Sequence, residues 1–102
     1  MLFAVNCKDR PGQLQLRLDV RPDHVAYLDD LNSSGVLKFA GPYLDDEEKP
    51  CGSLVVIEAE DAEAAGAIAG RDPYARAGLF QEVDIRRWNW VFNKPQNPDR
   101  QA

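Results

Sequence analysis

Hydrophobic and polar positions along the chain follow two different periods. Four apolar runs are bounded by turn residues, and the third is rich in β-branched side chains, so each run predicts a β-strand. These runs cover residues 2–7, 36–40, 53–59 and 79 to about 92. Apolar side chains recur at helical spacing in residues 22–33 and 62–69, and the sequence therefore predicts two helices between the strands.

The expected helix ends rest on individual residues. Pro22 suits the first turn of a helix, where a missing N–H costs nothing, so the first main helix is expected to begin there and to stop at Gly35. Residues 13–19 are expected to add a helical turn or two. Asp61 supplies an N-cap for the second helix, and Gly70 can end it.

The alternation of apolar and polar residues shifts by one position within the last predicted strand. Val83 and Ile85 occupy odd positions, whereas Trp88 and Trp90 occupy even ones. A shift of one residue exchanges the two faces of a strand, which predicts either a bulge near residues 86–87 or two halves that bury opposite faces. The tryptophans either contact a second subunit or cover the core of their own chain.

The predicted order βαββαβ favours a ferredoxin-like α+β fold, an antiparallel sheet with both helices on one face. The other face of such a sheet is uncovered, and burial against a second copy predicts a homodimer. Residues 1–92 are expected to form one domain, and residues 93–102, which are polar, a C-terminal tail.

The composition of the chain limits the classes of partner that the protein can bind. Twelve basic and 17 acidic residues give a net charge of −5, which argues against nucleic acid. No apolar run is long enough to span a membrane, and the N-terminus does not have the pattern of a signal peptide. Cys7 and Cys51 follow no disulfide or zinc pattern, so both are expected to be reduced thiols in a cytoplasmic protein.

His24 is the only histidine, so histidine-based proton transfer has one candidate. His24, Leu28 and Leu31 share one helical face, which directs the imidazole inward. A buried histidine that is hydrogen-bonded for structure has the same pattern. If the helix begins at Pro22, its positive dipole end favours the neutral, proton-accepting imidazole.

Asp72 is the second candidate, since it precedes Pro73 and its backbone is therefore biased to extended conformations. Asp-Pro is more often a simple turn starter. A carboxylate bonded to one nitrogen of His24 would fix the tautomer and make the other nitrogen a better base. Spacing along the chain leaves their contact open.

Three further polar residues are candidates for substrate binding. Ser53 begins the third strand after Gly52 and can hydrogen-bond a ligand oxygen. Arg17 and Arg21 flank the histidine and can hold a substrate carboxylate, although solvated helix charges give the same pattern. Cys7 and His24 could also form a catalytic pair of a thiol and an imidazole. No phosphate loop, dinucleotide-binding pattern or metal-ligand spacing is present.

Several of these stretches together resemble the YciI-like family of small dimeric α/β-barrel proteins. They are Arg17, residues 21–28, 40–42 and 52–53, then 72–74, 77–78 and 88–90. The resemblance covers roughly residues 1–92. It implies a ferredoxin-like subunit that pairs into a barrel, with His24 and Asp72 in a cleft and Ser53 nearby. One characterised branch of the family removes HCl from a chlorinated, hydroxylated aromatic breakdown product.

The leading prediction is an enzyme of the lyase or isomerase type that needs no cofactor. In this prediction His24 is the general base, Asp72 orients it, and Ser53 with Arg17 or Arg21 holds a small cyclic or carboxylated substrate. One alternative is a non-catalytic small-molecule-binding or accessory dimer. Another, from fold analogy alone, is a cofactor-free oxygenase or heme-handling protein.

Overall fold

The computed structural model describes residues 1–95, so residues 96–102 of the expected tail lie outside it. The elements are β1 (Leu2–Asp9), α1 (Leu14–Ser33), β2 (Leu37–Leu44), β3 (Pro50–Glu58), α2 (Ala62–Gly70), α3 (Pro73–Arg76) and β4 (Phe80–Trp88). The strands form one antiparallel sheet in the order β2-β3-β1-β4. This topology confirms the predicted ferredoxin-like α+β fold. Among residues 1–95, no helix has the length and apolarity needed to cross a membrane.

The core lies between the helices and one face of the sheet. Side chains alternate between the two faces of a strand, so the register places Phe3 and Val5 beside Ile57 and Val55 on the same face. These residues pack against Ala65 of α2, which is fully buried. The small side chain of Ala65 lets α2 lie close to the sheet.

Helix α1 is longer than predicted. It begins at Leu14, so Pro22 lies in its interior instead of in its first turn. An interior proline removes one backbone hydrogen bond, here to the carbonyl of Leu18. Both Pro22 and Leu18 are exposed, and water can therefore satisfy that carbonyl. Because α1 begins at Leu14, His24 lies in the middle of α1 and not at its N-terminus, and the prediction that the positive end of the helix dipole acts on its imidazole is wrong.

Strand β2 continues through Gly41 and Pro42, where the sequence analysis expected it to stop. Proline cannot donate a hydrogen bond to a neighbouring strand, so it is tolerated on an edge strand. Strand β2 is an edge of the sheet, and within residues 1–95 it pairs with β3 alone. A charged hairpin tip follows, where the Asp45 carboxylate accepts hydrogen bonds from the backbone N–H groups of Glu47 and Lys49.

Strand β4 is shorter than predicted and ends at Trp88, which pairs with Leu2, the first residue of β1. Of the two alternatives for the shifted alternation in β4, the bulge near residues 86–87 does not form, because β4 pairs with β1 in one continuous register from Glu82 to Trp88. The register instead shifts where Lys8 pairs with Glu82 and Asp9 pairs with Phe80. The two halves of β4 bury opposite faces: Ile85 packs against the core, and Trp88 lies on the other face beside Phe39.

An aromatic cluster partly covers the face of the sheet that carries no helix. Trp88 and Trp90 lie 5.5 Å and 5.0 Å from Phe39 of the same chain, measured between ring centroids. Val56, on the same face, is 1% exposed. At least part of the tryptophan surface therefore covers the protein's own sheet. Leu54, in the centre of this face, remains half-exposed, and we call this helix-free surface the open face.

Gly52 is required where β3 approaches β1. A Cβ atom at this position would overlap the carbonyl oxygen of Cys7 and touch the ring of Tyr43, whose hydroxyl donates to Asn6. A side chain here cannot be accommodated unless the two central strands move apart. This constraint fixes the backbone immediately before Ser53.

We therefore expect Gly52→Ala to lower the free energy of unfolding by about 1–3 kcal/mol, the usual cost of overpacking. Gly41→Ala is the matched control, since a Cβ atom at Gly41 would meet nothing within 4 Å. The control should change stability by less than about 0.5 kcal/mol. Urea denaturation of both variants measures the difference, and equal stabilities would contradict the argument.

Candidate active site

His24 and Asp72 are in direct contact inside the protein. The imidazole Nδ1 lies 2.8 Å and 3.0 Å from the two carboxylate oxygens of Asp72. His24 is 8% exposed and Asp72 is 6% exposed. An ionised carboxylate only accepts hydrogen bonds, so the ring nitrogen that faces it carries the proton. In the neutral imidazole, Nε2 then holds the lone pair and is the basic atom.

Asp72 is held by its place in the chain, where it caps the short helix α3. Its backbone is extended, with φ −60° and ψ 130°, as expected for a residue before proline. Its Oδ1 accepts the backbone N–H of Tyr74 at 2.9 Å, and Pro73 occupies the start of the helix. The Asp-Pro pair predicts a turn here, and the chain instead forms the short helix α3. The N-cap fixes the carboxylate in the position from which it contacts His24.

Tyr74 lies against the imidazole. The two rings stack with centroids 3.9 Å apart and planes 16° apart, and Tyr74 is 1% exposed. The Arg17 guanidinium carbon lies 4.6 Å from the centre of the same ring. Burial raises the pKa of the Tyr74 phenol, and the nearby charges of Arg17 and Arg21 do not cancel this effect. Tyr74 is therefore a neutral phenol near pH 7.

Arg17 is buried in an ion pair. Its Nε and Nη2 donate to the two carboxylate oxygens of Asp9 at 2.7 Å and 2.9 Å, and Nη2 also donates to the hydroxyl of Ser53 at 2.8 Å. Burial alone would lower the pKa of Arg17. The hydrogen bonds and charge of Asp9 outweigh burial and raise it, so Arg17 stays charged. Two of the three guanidinium nitrogens are thus committed within the protein.

A cavity of about 260 Å³ lies between α1 and the β2–β3 edge of the sheet. Its polar lining comes from Arg17, Arg21, His24, Ser53 and Tyr74, and the rest of its wall is largely apolar. The apolar part includes Leu18, Val25, Leu28, Pro42 and Val55. Ligand sites commonly combine such apolar walls with a few convergent polar groups.

The free nitrogen of His24 is accessible from this cavity. Within residues 1–95, every buried side-chain nitrogen or oxygen atom has a hydrogen-bond partner. The contacts of His24 with described residues involve Nδ1 and not Nε2. Since His24 lines the cavity, Nε2 is open to a molecule bound there.

The cysteines are poor candidates for this chemistry. Cys7 is buried, and burial, with the negative charge of Asp72 adding to it, raises the pKa of its thiol to about 12. Cys7 is therefore a protonated thiol at neutral pH and not an activated nucleophile. Cys51 is exposed and is likewise free. Among the described residues, no group of acidic, histidine or cysteine side chains has the arrangement of a metal site.

The structure thus brings the sequence-predicted residues to one place. His24, Ser53, Arg17 and Arg21 line the cavity, and Asp72 lies behind His24. Sequence reasoning missed two neighbours, Asp9 and Tyr74. Asp9 stands in a turn-forming stretch, and nothing local marks it as the partner of Arg17. Tyr74 carried a signal, since it directly follows the Asp-Pro pair.

The fold and cavity define a ferredoxin-like protein with a small pocket on the helix-covered side of its sheet. The family model of the YCII-related domain matches residues 1–89, and the chain belongs to this family. Protein YciI of Escherichia coli O6:H1 is 39% identical over 98 residues, which span 90% of this chain and 100% of that protein. An uncharacterized protein of Haemophilus influenzae is 35% identical, and the match again covers 90% of this chain and 100% of that protein.

One solved structure extends the comparison to a bound ligand. It is 5-chloro-2-hydroxyhydroquinone dehydrochlorinase (TftG) from Burkholderia phenoliruptrix AC1100, in complex with 2,5-dihydroxybenzoquinone. The two sequences are 36% identical, and the match covers 87% of this chain and 94% of that chain with a TM-score of 0.78.

The buried pair of Arg17 and Asp9 leads to a stability prediction. Asp9→Asn keeps the shape of the side chain and removes the charge, so the Arg17 guanidinium is left buried without a counterion. We expect a loss of about 3–5 kcal/mol in the free energy of unfolding. Asp84→Asn, which removes the partner of the exposed Arg86, should change it little. Denaturant unfolding compares the two, and similar small losses would mean that the Arg17 pair does not stabilise the fold.

Proposed function

We propose that this protein is a lyase of the dehydrochlorinase type that uses His24 as a general base and needs no cofactor. The observation that carries this proposal is the hydrogen bond from His24 Nδ1 to the buried Asp72, which leaves Nε2 open to the cavity. This arrangement suits the removal of a proton from an acidic O–H or C–H of a small cyclic molecule.

The proposed step is balanced within the substrate. The ring first tautomerises: the proton of one hydroxyl moves to the chlorine-bearing carbon, which becomes tetrahedral, and that oxygen becomes a carbonyl. Nε2 then accepts the proton of a second hydroxyl, its O–H electrons form a second carbonyl, and the displaced ring double bond forms to the chlorine-bearing carbon. Chloride leaves with the electron pair of the C–Cl bond, so the net loss is HCl. The imidazolium that forms is stabilised by Asp72 and then releases its proton to water. No electron is exchanged with an outside group, so the step requires no redox cofactor.

The remaining residues receive supporting roles in the proposal. Ser53 would orient the substrate, while its contact with Arg17 fixes its own position. Arg17 and Arg21 would hold a negatively charged oxygen. The likeness to a dehydrochlorinase at 36% identity supports the reaction type, and the apolar wall of the cavity supports an aromatic or cyclic substrate.

The test is elimination of HCl from 5-chloro-2-hydroxyhydroquinone, with chloride release as the measurement. We expect His24→Ala to lose about 100- to 10,000-fold in rate, the usual contribution of a general base. Asp72→Asn should lose part of the rate and leave His24 as a mixture of tautomers in nitrogen NMR. Arg76→Gln, at the exposed end of α3, should keep the native rate.

The outcomes separate the proposal from its alternative. A His24→Ala protein that is folded and fully active would overturn the mechanism. A native protein that binds 2,5-dihydroxybenzoquinone but releases no chloride would favour the non-catalytic binding or accessory role. The same circular dichroism spectrum in every variant is required before rates are compared.

We also propose that the chain forms a homodimer through the open face. The half-exposed Leu54 at the centre of this face, beside the aromatic cluster, supports a contact with a second copy. A sheet face without a helix exposes apolar surface that association would bury.

Sedimentation equilibrium should give twice the chain mass for the native protein. Leu54→Arg places a charge in the centre of the open face, so we expect it to shift the protein towards the monomer. Asn32→Arg adds the same charge on an exposed turn of α1 and should leave the dimer intact. A monomeric native protein, or equal dimerisation of both variants, would refute the proposed interface.

A further inference from the structure

The lining of the cavity beside His24 carries positive charge and hydrogen-bond donors, and it contains no carboxylate. Four titratable side chains line it, and they are Arg17, Arg21, His24 and Tyr74. Asp9 and Asp72 are 9% and 6% exposed and lie behind Arg17 and His24, outside this lining. A bound molecule therefore meets the cationic side of each pair.

The charges of the lining residues are not equivalent. Asp9 neutralises Arg17 through two hydrogen bonds, and Asp72 accompanies His24. Arg21 forms no ion pair with any residue in the range 1–95. Arg21 is also exposed, so its guanidinium can reorient towards a ligand at the mouth of the cavity. It supplies the net positive charge of the site.

The charge of Arg21 reaches the interior of the cavity. It acts on the buried phenol of Tyr74, where it favours the ionised form against the effect of burial. The chain as a whole carries a net charge of −5, so a locally positive cavity is of opposite sign to the rest of the protein. Such a site attracts small anions in preference to neutral molecules.

The size and the walls of the cavity define the rest of the ligand. A volume of about 260 Å³ is smaller than the usual range for drug-sized ligands and suits a molecule of a single ring. Leu18, Val25 and Leu28 provide an apolar surface on the α1 side, and Pro42 and Val55 provide it on the sheet side. A ring can lie between these two walls.

We propose that the ligand of this cavity is a monocyclic organic anion, a carboxylate or an acidic enolate or phenolate, and that Arg21 selects it by charge. Arg21 binds the anionic oxygen at the mouth of the cavity, and the remaining nitrogen of Arg17, Nη1, is the second donor. Arg17 is fixed by Asp9 and sets the position of the oxygen. This inference rests on the proposed function and assigns the substrate class of the same site.

Benzoate and benzamide test the inference, because they share shape and differ in charge. We expect benzoate to bind the native protein at least about tenfold more tightly than benzamide in isothermal titration calorimetry, as for a hydrogen bond to a charged group. Benzoate affinity should fall as salt is added. The acidic enol 2,5-dihydroxybenzoquinone serves as a second anionic probe.

Arg21→Gln should weaken both anions by about tenfold or more and leave benzamide unchanged. Lys38→Gln removes one positive charge from β2, away from the cavity lining, and should keep native affinity for all three probes. Equal effects of the two variants, equal affinity of benzoate and benzamide, or no binding of either anion would overturn the inference.

The binding experiment is independent of turnover. His24→Gln keeps Arg21 and keeps a polar side chain in front of the Asp72 carboxylate, so it should still prefer benzoate to benzamide whether or not the native protein eliminates chloride. Selective anion binding without chloride release contradicts the proposed reaction and supports the ligand class. Chloride release that does not depend on Arg21 supports the proposed reaction and contradicts the proposed ligand class.

Discussion

Helix α1 carries two ionisable side chains into the interior, and the site is organised around the need to compensate them. A buried charge is tolerated only when it is paired and hydrogen-bonded. Arg17 therefore requires Asp9, which comes from the end of β1, and His24 is matched with Asp72, which comes from the start of α3. These two contacts connect α1 to β1 and to α3 and leave little freedom in how the helix lies on the sheet.

The same two side-chain pairs determine which chemical groups face a ligand in the cavity. Each acid lies on the far side of its partner, so the cavity receives the guanidinium and the imidazole without their carboxylates. Tyr74 lies against both groups, in stacking contact with the imidazole and beneath the guanidinium. Residues that compensate buried charge thus also orient the groups that face a ligand. Structural support and chemical function share the same side chains, and a loss of stability in a variant must be measured beside its activity.

Local sequence rules predicted the fold class and most elements because their signals act over a few residues. The β-branched run of β3 and the Asp61 cap of α2 are such signals. Both elements form, although β3 begins at Pro50 and not at Ser53 as predicted. The errors have tertiary causes. Pro42 is accepted because β2 is an edge strand, and β4 ends at Trp88, where its pairing with β1 stops. Neither the edge position nor the length of the partner strand is visible in the local sequence.

The sequence by itself determined that one histidine faces inward from a helix and that an aspartate with an extended backbone precedes a proline. It also determined the βαββαβ order, since periodicity and turn chemistry are properties of neighbouring residues. Only the tertiary structure decided that His24 meets Asp72 across 48 positions and that Asp9 neutralises Arg17. Such contacts depend on how α1 packs against the sheet. This packing follows from the burial of the whole apolar core and from no single stretch of the chain.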